Sequence, residues 1–456
     1  MNNIEILRLL LISGVLIFFV YAMITKRIST LIALPLMGAL TALIASVGEI
    51  PMLGLFAHEN AEGETVQGIM NAVFGDGARM MASTIAASIF GGAFAVLLRR
   101  VGIAEAIIKK AAELAGDRIR VIAFIFYVAT MVIFSAIGGL GAVILIGSVA
   151  LPIMMTAGIS GVVAGAIILL GLTTGGVMNP AGFAFFATIL APVIDGGYEA
   201  AYEIVARMAI TLFLISMFVS IAYIMLNVKN SQRSAWHARK TQPAYELSNW
   251  ALIAPIVPVA LVLSSIYILP QVITAELAII VGIAYTVYVC KIKDKINAIA
   301  QSFVQGTQEV AGAIVLLIGL GILIRGVQFY TVTPIIAPAI EVLVSMLQSP
   351  MTYVIGFTLA TPLVLYRGPL NSWGIGGSLP AIFATAGFSP IAVVWVLRST
   401  GMMQGFGDPT NSQNIWIADF VQVDPNDITK SLFWVGLVIT FIALGYAILV
   451  DQIPLI

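Results

Sequence analysis

Apolar stretches long enough to cross a bilayer recur from one end of this chain to the other, more than any soluble fold can bury. A crossing needs about 20 residues, and such runs lie at roughly 5–25, 28–48, 78–98, 120–137, 160–176, 201–226, 250–268, 272–290, 309–325, 351–366, 389–404 and 431–450. Of the 456 residues, 60% are hydrophobic and 10% charged, against roughly 25% charged in a soluble domain. So few polar side chains cannot cover a water-facing surface. The chain therefore meets a lipid bilayer, and its fold class is an all-α polytopic membrane protein. The first run is followed by Lys26 and Arg27 with no A-x-A-like cleavage site, so it reads as a retained span.

Several function classes fall away. Net charge is zero and Lys and Arg never cluster, which gives no reason for a nucleic-acid partner. Cys290 alone forms no intrachain disulfide, and His58 and His237, both in polar loops, do not make a metal site. The longest polar segment, 227–249, is too short for a domain, and no G-K-[ST] phosphate loop occurs. Transport would draw on an ion gradient or run downhill, with no cofactor beyond a coupling ion, H⁺ or Na⁺.

Basic residues stay in the cytoplasm. This puts Lys26, Arg27, the stretch from Arg99 to Arg120, the 227–249 loop (Lys229, Arg233, Arg239, Lys240) and Lys291, Lys293 and Lys295 inside. The 49–66 segment, with Glu49, Glu59, Glu62 and Glu64, lies outside with 326–350, which has no Lys or Arg. Both termini then fall outside, and Arg325 is the exception at an outer helix end. With no eukaryotic targeting signal, the expected location is the inner (cytoplasmic) membrane, multi-pass.

The chain also repeats itself. A shift of 229 residues carries Phe74 onto Phe303, Gly77 onto Gly306, Gly92 onto Gly321 and Gly139 onto Gly368. The same shift carries Gly147 onto Gly376, Gly158 onto Gly387, Gly176 onto Gly405 and Pro180 onto Pro409. Single glycine matches mean little among 42 glycines, but a constant shift ending on non-glycine matches marks a duplication. Equivalent basic and non-basic loops fall on opposite sides, so the repeats are inverted: 1–228, a cytoplasmic linker at 229–249, and 250–456.

Short Gly- and Pro-rich apolar pieces at 139–157, 180–193, 333–347 and 369–387 suit re-entrant hairpins and discontinuous helices. The strongest breakers pair up. Ile137-Gly138-Gly139-Leu140-Gly141 matches Arg367-Gly368-Pro369-Leu370-Asn371-Ser372, and Thr173 to Gly182 matches Gly405 to Ser412. A broken helix offers N–H groups to an anion at one end and carbonyls to a cation at the other. Gly139, Asn179, Arg367, Asn371, Ser372, Thr410, Asn411 and Ser412 are the substrate candidates, and Asp408, Gly176 and Gly405 the ion-coupling candidates.

Asp408 is the sharpest of these, because a carboxylate inside a membrane helix costs about 2.5–3.5 kcal/mol on insertion scales. Its repeat partner is Asn179, so only one half carries the charge. The plainer reading is that Asp408 before Pro409 caps the next helix. Arg367 is either a carboxylate fork or a positive-inside anchor. Arg398, in the apolar run from Val393, is an ion-pair partner for Asp408, a substrate contact or a structural residue.

The order of elements resembles the ion transporter superfamily, and within it the gluconate/proton symporter and citrate-transporter-like families. The likeness is carried by Gly91-Gly92-Ala93-Phe94 before Val101-Gly102-Ile103-Ala104, and by the segment from Arg367 to Ser372. It continues in Gly407-Asp408-Pro409 with Ile415-Trp416 and Asp427-Ile428-Thr429-Lys430-Ser431. Where the gluconate family is His- and Pro-rich, this chain reads Gly176 to Gly182 without histidine. The resemblance implies cation-coupled symport of a small organic anion (a sugar acid, di- or tricarboxylate) by a homodimer with a moving, elevator-type transport domain.

Two other readings compete. A cation/proton antiporter needs only core carboxylates, which Asp408 supplies. Gly405-Phe406-Gly407-Asp408 matches the G-x-G-D of intramembrane aspartyl proteases, but those need two carboxylates at one site. Asp76, Asp117, Asp195 and Asp294 all lie at ends or loops, so no enzyme is expected.

Overall fold

The structure is a computed structural model and describes residues 3–25, 27–48, 55–59, 65–115, 118–228, 247–268, 273–292, 294–451 and 453–455. Lys26, Glu49, Glu62, Glu64, Asp117, Lys293 and residues 229–246 of the linker lie outside the described residues.

The first half runs α1 (Asn3–Ile24), α2 (Thr30–Ser46), a π-helical turn (Met70–Gly75), α3 (Asp76–Met80), α4 (Ala82–Arg100), α5 (Ile103–Ala115), α6 (Ile119–Phe134), α7 (Leu140–Thr156), α8 (Gly161–Gly176), α9 (Pro180–Leu190) and α10 (Gly197–Asn227). The second runs α11 (Val257–Tyr267), α12 (Ala275–Val289), α13 (Lys295–Val327), α14 (Thr333–Leu347), α15 (Pro350–Ala360), a 3₁₀ stretch (Thr361–Arg367), α16 (Leu379–Ala384), α17 (Pro390–Gly407), α18 (Ser412–Phe420) and α19 (Pro425–Leu449). Among the described residues five helices are each long and apolar enough to cross a membrane, seven if two bent pairs count as spans.

Local chemistry sets the boundaries. Asn179-Pro180, Ser349-Pro350, Ser389-Pro390 and Asp424-Pro425 each place a capping side chain before a proline whose fixed φ suits the first helical turn. Gly158 and Gly387, one repeat shift apart, both take positive φ after α7 and α16. In each case the following N–H (Ile159, Phe388) reaches back five residues, to the carbonyls of Met154 and Phe383. These are paired Schellman ends, and they explain why glycine recurs there.

Two helices related by the 229-residue shift meet where α3–α4 crosses α13. A Cβ on Gly321 would lie 2.1 Å from the Gly77 carbonyl oxygen, and one on Gly306 would lie 2.4 Å from the Ala93 nitrogen, beside Gly92. As the first helix advances from 77 to 92, its partner retreats from 321 to 306, so the two are antiparallel. The 229-residue shift turns the pair Gly77/Gly321 into Gly306/Gly92. At this crossing, residues one shift apart thus lie on antiparallel helices that meet each other.

Three elements differ from the expectation. α13 is 33 residues long, about 50 Å, because Gln301, Gln305 and Glu309 interrupt the apolar pattern yet meet Arg99 and Arg100 of α4. The piece at 139–157 is an unbroken helix with Pro152 inside it. It follows α6, and each of the two helices reaches only about 25 Å, short of the roughly 30 Å hydrocarbon core. The piece at 333–347 is likewise a continuous helix, α14, the shift partner of α5, and it meets α15 at 107°, a bend that fits a broken span or a re-entrant loop.

Candidate substrate and ion site

The two discontinuous helices break at equivalent residues but resume differently. α9 follows its N-cap Asn179 directly, whereas α18 starts at Ser412 after the N-cap Asn411, so Asp408 does not cap the next helix as its place before Pro409 suggests. α8 stops at Gly176 and the chain re-enters a helix at Pro180, bent by 60°. Asn179, extended at ψ 124, accepts at Oδ1 from the Ala181 N–H at 3.0 Å. In the second half α17 stops at Gly407 and Asp408 is extended at ψ 110. Its Oδ1 accepts from the Thr410 N–H at 2.9 Å and the Thr410 hydroxyl at 2.8 Å. The bond to the residue two ahead is therefore common to both repeats, and in the first an uncharged amide makes it.

Asp408 is fully buried. Its second oxygen accepts from the Arg367 backbone N–H at 3.4 Å. That N–H is aimed by two successive residues in left-handed conformation, Tyr366 (φ 54) and Arg367 (φ 60), a costly arrangement for side chains with a Cβ. The Arg367 guanidinium itself turns to the Thr30 hydroxyl of α2, 3.2 Å away. No carboxylate or cationic side chain pairs with Asp408 among the described residues.

The carbonyls at the end of α17 are already used. Asn411 donates to Gln404 (2.7 Å), Asn414 to Phe406 (3.1 Å) and the Thr429 hydroxyl to Gly407 (2.7 Å). The Asn414 Oδ1 is left buried without a donor. Gly405 packs on Thr173, where a Cβ would fall 2.8 Å from the threonine hydroxyl oxygen.

A cavity of about 350 Å³ lies where the halves meet, within the roughly 300–1,000 Å³ range of small-molecule sites. Gly138 and Gly139 between α6 and α7, Gly176 and Asn179 at the first break, Trp373 and Gln413 wall it. Asn371 and Ser372, buried between the 3₁₀ stretch and α16, lie behind Trp373, and the Asn371 Oδ1 accepts from the Trp373 N–H at 3.0 Å. Trp373 stacks on Phe185 with centroids 4.2 Å apart. Ser412 is exposed, and its neighbour Gln413 faces the cavity instead. The sequence reading passed over Trp373 and Gln413, although each adjoins a candidate. Ser88, also in the wall, had no signal within its apolar run.

Arg398 is 5% exposed in the interior of α17. It donates to the Val177 carbonyl at 3.4 Å, beside the first break, and lies over the rings of Phe186 (5.0 Å) and Phe183 (6.0 Å). Its Nε has no partner, and no carboxylate pairs with it among the described residues. Ten residues separate it from Asp408 on one helix, about 15 Å along the axis. The two are not an ion pair.

No known family profile matches this sequence, and no curated protein matches it. Solved structures do. The YdaH transporter of Alcanivorax borkumensis, described as having an unusual topology, aligns at TM-score 0.60 and 14% identity over 92% of this chain and 98% of that one. MtrF of Neisseria gonorrhoeae, from a class of antimetabolite efflux pumps, aligns at TM-score 0.57 and 14% identity over 91% and 94%. This all-α polytopic membrane chain has the fold of these solved transporters.

Proposed function

We propose that the protein is a secondary active transporter of the inner (cytoplasmic) membrane, carrying a small organic anion in symport with H⁺ or Na⁺. One observation carries this reading: a buried cation without an anion, Arg398, beside the first break, and a buried anion without a cation, Asp408, at the second. Burying an unpaired charge is costly. Arg398 is not itself on the cavity wall but bonds the Val177 carbonyl between the wall residues Gly176 and Asn179. A carboxylate reaching it from the cavity would answer it, and a coupling ion held by Asp408 and the Asn414 Oδ1 would answer the other. Arg398 does nothing for a pure cation exchanger, so symport is preferred over antiport.

In symport with excess positive charge, the membrane potential contributes about 2.3 kcal/mol per charge per 100 mV. The efflux class to which MtrF is ascribed makes export the alternative direction for the same machinery. Membership of the ion transporter superfamily and an elevator-type homodimer belong to the same proposal.

The test is uptake of labelled citrate, succinate and gluconate into proteoliposomes under imposed Na⁺ or proton gradients. Gradient-driven uptake of one anion class, lost in Asp408→Asn, supports symport. Ion exchange with no anion moved would replace it with antiport.

A further inference from the structure

Arg325 lies in the last turn of α13 and lines a cavity of about 180 Å³. Asp76, Gln328 and Tyr330 share that wall with Gln67, just after the short strand Thr65–Val66. Opposite charges thus face one cavity without meeting. Arg325 makes no ion pair or hydrogen bond among the described residues, and Asp76 pairs only loosely with exposed Arg79 at 3.7 Å. The Arg325 Nε and the Gln328 Oε1 are both buried without partners, one donor and one acceptor.

The repeat supplies an internal control. A shift of 229 relates Asp76 to Gln305, and Gln328 and Phe329 to Arg99 and Arg100. At the basic end those residues close on the protein itself: Arg99 clamps Glu309, and Arg100 donates to Gln301 (2.7 Å) and Gln305 (3.4 Å). At the outer end the equivalent groove stays open. The turn leading into it, Met70–Gly75, is π-helical, a distortion that recurs at functional sites.

We propose that this outer cavity binds a small zwitterion of the α-amino-acid class. Its carboxylate lies on the Arg325 guanidinium, and its ammonium lies between Asp76 and the Gln328 Oε1. The space exceeds the roughly 30 Å³ share of one water and is smaller than the roughly 300 Å³ at which drug-sized pockets begin, which suits a ligand of this size. The site is separate from the central cavity and independent of the transport reading.

The experiment is equilibrium dialysis of the purified full chain with labelled glycine, with L-serine, acetate and methylamine as competitors. The proposal expects saturable binding displaced by serine but not by either half-molecule. It expects Asp76→Asn and Arg325→Gln each to weaken binding about tenfold or more, while Arg398→Gln leaves it unchanged. Asp76 is partly exposed, so its variant decides the matter if Arg325→Gln does not fold. No saturable glycine binding, equal competition by acetate, or unchanged binding in Asp76→Asn would overturn it.

Discussion

The two helix breaks share an extended residue before a proline and differ in its charge. Asn179 and Asp408 occupy equivalent positions, take the same extended conformation and accept the same N–H two residues ahead. If accepting that N–H were all that position 408 had to do, an amide would suffice, since it does so in the other repeat. The carboxylate therefore answers a different demand. The first break borders the cavity, while the second carries a fully buried acid.

Substitutions can break this comparison or sharpen it. The largest effect is expected from Asp408→Asn, which makes the second break like the first. Removing a buried hydrogen-bonded charge partner costs about 2–5 kcal/mol in binding, so ion-dependent transport should fall on the order of 100-fold. The melting temperature should move little, because asparagine keeps the acceptor for the Thr410 N–H. A variant that unfolds instead would return Asp408 to a structural role.

Arg398→Gln should weaken anion binding by about 10–100-fold without altering ion dependence, read by calorimetric titration. Asn179→Asp sharpens the comparison from the other side. It sets a carboxylate on the cavity wall and should weaken anion binding about tenfold at low salt, less at high salt. The smallest effect is expected from Arg367→Gln. Its link to Asp408 is a backbone N–H that survives, and the lost bond to Thr30 is worth about 0.5–1.5 kcal/mol, visible as a modest fall in thermal stability with ion dependence intact.

The helix breaks were legible because glycine, proline and capping residues act on the backbone beside them. Asn179-Pro180, and the paired glycines 158 and 387, state their geometry in the chain itself. α13 was not legible at full length, because its glutamines are explained only by Arg99 and Arg100, some 200 residues away in the chain. Pro152 and Pro338 suggested interruptions, but both lie inside continuous helices. At the site, Ser88, Trp373 and Gln413 come together only through tertiary packing. The same packing directs Arg367 to Thr30 and Arg398 to the Val177 carbonyl rather than to Asp408.

The central claim is that the two unpaired buried charges await an anion and a cation together. Its most direct test is thermal stabilisation of the purified protein by citrate, succinate and gluconate, with and without Na⁺ and at two pH values, in wild type, Asp408→Asn and Arg398→Gln. A ligand that binds the folded state raises its stability by mass action. The account predicts that one anion class and one cation stabilise more together than the sum of each alone. It predicts that Asp408→Asn removes the cation's share and Arg398→Gln the anion's. Stabilisation by cations alone, unaffected by any anion or by Arg398→Gln, would contradict it.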